Sequence, residues 1–250
     1  MNSAPNPLPG TRPEGANDER AAAQAVERMF TSIAHRYDLL NHVLSFNVAR
    51  LWWRRAARAF APIARRPEAR LLDLCCGTGD MAFALHKLRP SGVAIVGADF
   101  SRAMLLRAAQ KSADRPLCWL EADALRLPFG DASFHLAVSA FGFRNLANYQ
   151  AGLAEIHRVL VPGGKIGILE FGEPRGLVGA LYRLYFRRVL PVLGTLISGV
   201  RGPYAYLPAS VARFPSPAGM LEQMRAAGFA DVSWTPYTFG IAGLYRGTKR

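Results

Sequence analysis

From residue 70 onward the chain alternates short apolar runs with amphipathic stretches at a regular step. "RLLDLCC" (70–76) predicts a buried strand, followed by a glycine turn and a helix to about Leu88. "VAIVGAD" (93–99) predicts a second strand with a helix over 101–112, and "PLCWLEAD" (116–123) and "FHLAVSAFG" (134–142) a third and fourth. A helix over 148–160 then leads through "PGG", read as a turn, into a fifth strand, "KIGILEF" (165–171). Apolar strands alternating with helices in short steps mean a parallel sheet covered on both faces. Ahead of this block, residues 20–30 and 46–61 read as helices, with Pro62 and Pro67 breaking the pattern. Behind it, a helix over 216–227 precedes "DVSWTPYTF" and "IAGLYRGTK", which a turn at Gly240 joins into an antiparallel hairpin at a sheet edge. The expected fold class is α/β and Rossmann-like: a mainly parallel seven-stranded sheet with an antiparallel C-terminal hairpin strand. Chemistry then belongs at the carboxyl ends of strands one to four, beside the point where strand order reverses.

One domain over residues 20–250 accounts for the pattern, with a helical cap at 20–61 and an insertion at 175–215. Residues 1–19 lack an apolar segment behind a basic start and read as a disordered tail rather than a signal peptide. No apolar run of about 18 residues occurs, so no spanning helix is expected.

Charge changes the picture through its placement. The net charge is +13, yet residues 71–174 hold 10 basic and 10 acidic side chains, whereas 1–70 hold 11 against 6 and 175–201 hold 5 against none. Positive flanks around a neutral block suit a polyanionic surface beside the active site, either anionic lipid or nucleic acid. Cys75, Cys76 and Cys118 form no CxxC pair and no four-ligand zinc set with the five scattered histidines, so no metal is expected and a reduced, cytoplasmic setting is the economical reading.

In "DLCCGTGD", Gly77 and Gly79 allow a tight turn before a helix N-terminus. Against the dinucleotide pattern GxGxxG, the third position is Asp80, a carboxylate where pyrophosphate would lie. S-adenosylmethionine carries an ammonium and a sulfonium and no phosphate, so Asp73 and Asp80 both suit it better than NAD. Asp99, at the end of strand two with Phe100 after it, is placed to accept ribose hydroxyls. Asp123 and Ala124 end strand three, where adenine is expected, and Met104 is placed to cover its face. Plainer readings stay open: Asp73 as a turn cap, Asp123 bound to backbone only, Met104 as core.

Strand four runs into "AFGFRN", where Phe141 and Phe143 beside Arg144 and Asn145 suit a flat oxygenated ring, Arg144 facing developing negative charge. Asn145 as a helix cap with Arg144 on the surface is the structural alternative. The segment "VERMFTSIAHRYDLLNHVLSF" (26–46) has no place in the sheet and is free to lie over the site, with Tyr37 and Asp38 near the donor or the phenolic proton and Asn41 or His42 at a ring oxygen. Asp38 and Asn41 as caps and His42 as a packing residue are the bland readings.

"YDLLNHVLSF", "LDLCCGTGD", "DALRLPFGDASFH", "FGFRN", "EIHRVLVPGGKIGILEF", "YAYLPASVARFP" and "YTFGIAGLYRG" together resemble the MenG/UbiE C-methyltransferases of quinone biosynthesis, over roughly residues 26–249. The resemblance implies the class I methyltransferase fold, S-adenosyl-L-methionine as methyl donor, and as acceptor a polyprenylated quinol, demethylmenaquinol or the benzoquinol precursor of ubiquinone. It also implies cofactor contacts from Thr78, Asp99, Asp123 and Ala124. Where the family commonly has serine before "FG", this chain has Ala140, with Ser139 one residue earlier; Cys75 stands for the first glycine, and Ala209 where an acidic residue is frequent. The expected cofactor set is thus Asp73, Gly77, Thr78, Gly79, Asp99, Phe100, Met104, Asp123, Ala124 and Ser139. The expected catalytic set is Tyr37, Asp38, Arg144 and Asn145.

In the 175–200 insertion, Leu181, Leu184, Tyr185 and Val189 share a helical face flanked by Arg183 and Arg187, as for a helix lying at an anionic membrane surface or a lid over a prenyl groove. A homodimer contact or a core helix is the alternative. A cytoplasmic, peripherally membrane-associated enzyme follows, with no nucleic acid as partner; methyltransferases of soluble phenols or of RNA are the rivals.

Overall fold

A computed structural model describes residues 10–39, 45, 47–88, 94–112, 115–172, 174, 176–190, 192, 195 and 203–250. In chain order the elements are α1 (Glu19–Ile33), α2 (Val48–Ala59), α3 (Ala61–Ala64), β1 (Leu71–Leu74), α4 (Asp80–His86), β2 (Ile95–Asp99), α5 (Arg102–Lys111), β3 (Leu117–Glu121) and β4 (Phe134–Ala140). Then come α6 (Tyr149–Val159), β5 (Leu160–Phe171), α7 (Gly176–Leu184), which continues as a π-helical turn over Tyr185–Val189, α8 (Pro203–Arg213), α9 (Pro217–Ala226), β6 (Phe229–Tyr237) and β7 (Ala242–Lys249).

The seven strands lie in the order β3-β2-β1-β4-β5-β7-β6, parallel except for β7, which runs antiparallel to both β5 and β6. All four residues of β1 are buried, as a strand covered on both faces requires. Strand order reverses between β1 and β4, so Asp73 lies beside Gly97 of β2 and Val138 of β4 at the crevice mouth. One apolar layer, with Phe143, Leu153, Ile156 and Met220, packs on one face of the sheet. A second, with Trp52, Trp53, Phe60 and Leu85, packs on the other.

The alternating cycle and the terminal hairpin are as the hydrophobic pattern predicts; three local readings are corrected. "PGG" lies inside β5, where the register advances five positions along that strand (Leu160 to Lys165) against two along β4 (Phe134 to Leu136), a bulge with Gly163 at φ 76°. Pro62 starts α3 within its first turn, where its missing N–H costs nothing. Residues 10–18, expected as tail, pack on the body. The Thr11 amide donates to Leu146 O at 2.8 Å, Thr11 is buried, Ala16 packs against Ala22 and Ala147, and Asp18 caps α1 by accepting from Ala21 N. Average polarity missed these contacts because they are made by small residues and backbone. No helix among the described residues is long and apolar enough to cross a membrane.

Candidate active site

A cavity of about 520 Å³ opens over the carboxyl ends of the strands, roofed by α1, α2, α7 and α8. Its volume falls within the range of small-molecule sites. Asp73, Gly77, Asp99, Phe100, Met104, Asp123 and Ala124 line one half; Tyr37, Arg144 and Asn145 also reach the wall.

The strand-end half is built on backbone amides. Asp99 lines the cavity and accepts from Gly77 N (2.8 Å) through Oδ2 and from Ser101 N (2.9 Å) through Oδ1, with the Phe100 amide also favouring its charged form. Burial pushes its carboxyl up to about 6 against these amides. Asp73 is fully buried; Oδ2 accepts from Ala82 N (2.8 Å) in α4, and Oδ1 has no hydrogen-bond partner. Burial, with Asp99 and Asp80 nearby, pushes Asp73 up to about 8. An unsatisfied buried acceptor beside a second carboxylate disfavours phosphate and favours a cation. Asp123 Oδ1 accepts from Leu125 N (2.9 Å), so its side chain shapes its own turn while lining the cavity.

Four expected site residues are not on the cavity wall. Thr78 is buried and donates to Asp38 Oδ1 at 2.5 Å, and Lys111 Nζ joins both while pairing with Asp38 and Asp80 at 3.1 Å. Asp38 is therefore a clasp between the segment that follows α1 and the glycine turn, paired with Lys111. Of that cluster Asp80 alone lines the cavity. Gly79, at φ 86°, is required by packing: a Cβ there would lie 2.4 Å from the Trp119 ring. Ser139 is buried behind the wall, beneath Gly142. Tyr37 does reach the cavity, its ring over Gly77. Asn41 and His42 lie outside the described residues.

The other half is aromatic and carries one buried cation. Phe141 holds φ 59°, and Gly142 passes so close to Cys75 that a Cβ would meet its Cβ at 2.4 Å; the β1 and β4 turns interlock here. Phe141 packs on Phe171 with ring centroids 4.4 Å apart and on Trp52 at 5.8 Å, while Trp52 Nε1 donates to Thr238 Oγ1 (2.8 Å). Arg144, in a 3₁₀ turn (Phe143–Asn145), is buried. Its backbone N–H donates to Glu170 Oε1 (3.0 Å), and its guanidinium donates through Nη1 to Glu170 Oε2 (3.2 Å) and to Phe141 O, and through Nε to Ser210 Oγ (3.3 Å). Nη2 keeps no partner among the described residues. Burial raises the Glu170 carboxyl, with Arg144 pulling it back down. Asn145 Oδ1 accepts from the Tyr206 hydroxyl (3.0 Å).

The helix-cap reading of Asn145 is thereby replaced: the cap of α6 is Asn148, accepting from Ala151 N. Sequence reasoning missed Trp52, Trp53, Phe171, Glu170 and Tyr206. Glu170 did leave a signal, the one acidic side chain of "KIGILEF", set between Leu169 and Phe171 in an apolar strand end and therefore in need of a buried partner.

The family model of the ubiE/COQ5 methyltransferase family matches residues 16–249. The chain is 52% identical over 236 residues to the demethylmenaquinone methyltransferase of Deinococcus radiodurans, covering 93% of this chain and 96% of that one. It is 50% identical over 224 residues to the enzyme of the same name from Thermus thermophilus, covering 88% and 100%. Among solved structures, a SAM-dependent methyltransferase of Thermotoga maritima superimposes with a TM-score of 0.63 at 22% identity, covering 89% of this chain and 99% of that one, which shows the shared fold. With seven strands in this order, carboxylates at successive strand ends and a match across nearly the whole described chain, the protein belongs to the ubiE/COQ5 methyltransferase family.

Proposed function

We infer that the chain transfers a methyl group from S-adenosylmethionine to a ring carbon of demethylmenaquinol, giving menaquinol. The observation that carries this reading is one cavity with two unlike halves: an unsatisfied Asp73 oxygen at the β1 end beside the Asp99 carboxyl at the β2 end, and a locked guanidinium among aromatic rings at the β4 end. The high identity to two demethylmenaquinone methyltransferases supports the choice of quinol.

Bound adenosylmethionine supplies an electrophilic methyl on a positively charged sulfur. Asp99 would hold its ribose hydroxyls, Asp73 would meet its positive charge, and Phe100, Met104 and Ala124 would enclose its adenine, since all five line the cavity. A hydroquinone becomes nucleophilic at carbon once a phenol gives up its proton to solvent, because the charge spreads to the ortho carbon; when that carbon has taken the methyl its own proton is lost, the ring is aromatic again, and the oxyanion is reprotonated. Arg144 Nη2 and the Asn145 amide stabilise that oxyanion; a fixed cation in a dry pocket shifts the phenol's ionisation downward. Phe141, Phe171 and Trp52 hold the ring flat and exclude water, which would otherwise solvate the phenolate. Asp38, clasped to Lys111 and Thr78, ties the segment after α1 to the glycine turn.

A membrane surface delivers the prenylated substrate. Leu181, Tyr182 and Tyr185 of the α7 segment line the cavity, as do Thr238 and Ile241 of the β6–β7 turn, and both elements expose apolar side chains beside those positions: Leu181 is 62% and Phe239 80% exposed. Leu184, Val189 and Val192 are exposed too, and residues 175–201 carry five basic and no acidic side chains. Apolar tips framing a cavity mouth, in a segment that is basic by sequence, suit peripheral contact with anionic lipid. The side chains of Arg183 and Arg187 lie outside the described set.

The test is incubation with methyl-labelled adenosylmethionine in vesicles containing demethylmenaquinone, reduced or oxidised. Label enters the lipid-extractable quinone with the reduced form only; equal labelling of a soluble catechol and none of the quinol contradicts the reading.

A further inference from the structure

The amide of Asn145 has two ends, and which of them meets substrate is decided by a residue outside the active-site turn. Tyr206, on α8, donates its hydroxyl proton to Asn145 Oδ1 at 3.0 Å. The same hydroxyl lies 2.5 Å from Thr11 Oγ1. With the Tyr206 proton committed to Asn145, the Thr11 hydroxyl is the donor in that second bond. Thr11 is itself fixed, its amide bound to Leu146 O at 2.8 Å and its neighbour Gly10 pressed so close that a Cβ there would lie 2.3 Å from the same oxygen. Arg213, at the end of α8, donates to Arg12 O at 2.6 Å and ties the same strap to the helix that carries Tyr206. Burial raises the Tyr206 phenol, with the Thr11 bond and Arg144 acting the other way, so the group stays a proton-bearing donor at neutral pH.

We propose that Tyr206, oriented by Thr11 of the N-terminal strap, is a positioning residue that fixes the Asn145 amide with Oδ1 turned into protein and Nδ2 presented to the cavity, as a hydrogen-bond donor to the substrate oxygen. This rests on the reading of Asn145 as an oxyanion donor given above. Asn145 and Tyr206 both line the cavity, and Asn145 Nδ2 has no partner among the described residues. An unpinned amide can also turn its carbonyl oxygen toward the phenolate, where it repels, and must be reoriented at a cost; a pinned amide is already oriented. The chain Thr11 to Tyr206 to Asn145 thus links residues 195 apart in sequence to one donor position.

The test is a double-mutant cycle on turnover of reduced demethylmenaquinone, with adenosylmethionine affinity measured separately by calorimetry. Tyr206→Phe, which keeps the ring and removes the hydroxyl, lowers kcat roughly 10-fold, about the worth of one hydrogen bond, and leaves adenosylmethionine affinity unchanged. Asn145→Ala lowers kcat on the order of 100-fold. In the Asn145→Ala background, Tyr206→Phe has no further effect, because a positioning residue acts through the amide that is gone. Thr11→Val lowers kcat as Tyr206→Phe does, and Thr11→Ser, which keeps the hydroxyl, retains wild-type turnover. An equal loss from Tyr206→Phe in both backgrounds, or no loss in either, overturns the positioning role while leaving Asn145 as a donor. Wild-type kcat in Asn145→Ala overturns the donor reading itself, and the positioning role with it.

Discussion

The two halves of the cavity solve opposite electrostatic problems with different materials. At the β1 and β2 ends, carboxylates are held by main-chain amides: Asp99 by Gly77 and Ser101, Asp73 by Ala82. At the β4 end, a cation is held by a carboxylate from the neighbouring strand and by a backbone carbonyl, Arg144 by Glu170 and Phe141. The first arrangement is assembled within some thirty residues of sequence. The second draws on the β4 turn, β5, α2, α8 and the N-terminal strap. A site that receives a cation is made locally from the turn that any such sheet must have; a site that stabilises an anion on a flat ring has to be gathered from across the chain.

Breaking the ion pair has the largest expected effect. Glu170→Gln leaves a buried guanidinium without its counter-charge and lowers unfolding stability by about 3 kcal/mol, seen as a lower urea midpoint. Arg144→Met costs less at neutral pH, because burial already pushes Glu170 toward its protonated form and it takes up a proton. Wild-type midpoints in both variants would contradict the buried-pair account. Next comes the other half: Asp99→Asn puts an amide N–H against one of two backbone donors and weakens adenosylmethionine binding by roughly 30-fold, the worth of a hydrogen bond to a charged group. An unchanged Kd would remove the ribose role.

Why one half was legible follows from the same contrast. Asp73, Gly77 and Asp99 stand at fixed offsets from strands whose apolar runs are plain in the sequence, so position in the sheet gave position in the site. Thr78 and Gly79 stand in the same motif and are not on the cavity wall, because spacing reports the turn and not which way each residue faces; Gly79 answers to Trp119, a contact from β3. Asp38 was read as a site group from its composition, and its clasp to Lys111, 73 residues on, is a tertiary fact. Trp52, Trp53 and Tyr206 sit in helices whose sequence shows an apolar face but not what it faces. The parallel sheet and its antiparallel closing hairpin were legible because strand alternation and a tight Gly240 turn are local signals, whereas the strand order that puts the reversal beside Asp73 is a tertiary fact.

A smaller effect sharpens the comparison through pH. Asp73 is raised from 3.8 to about 8 by burial, so between those values the folded chain keeps a proton that the unfolded chain releases. The ligand-free protein therefore loses stability as pH rises through this window. A cationic ligand favours the carboxylate, so adenosylmethionine binding releases a proton below pH 8 and tightens as pH rises from 6 to 8, by at most about tenfold per pH unit. Calorimetry in buffers of different ionisation enthalpy measures the proton; Asp73→Asn flattens the dependence, and an unflattened profile would move the titration elsewhere. The smallest effect concerns the rim. Phe239→Ser weakens cosedimentation with anionic vesicles roughly tenfold, about the transfer free energy of one partly inserted ring, while turnover of a detergent-dispersed quinol with a short side chain is unchanged. Wild-type cosedimentation would detach the hairpin tip from the membrane.

The account is tested most directly by where the methyl group goes. With reduced demethylmenaquinone and ¹³C-methyl adenosylmethionine, carbon NMR of the extracted product should show the label on the ring carbon next to a ring oxygen, as charge delocalised from an Arg144-stabilised phenolate requires. Label on the phenolic oxygen, or none in the quinone at all, would contradict it.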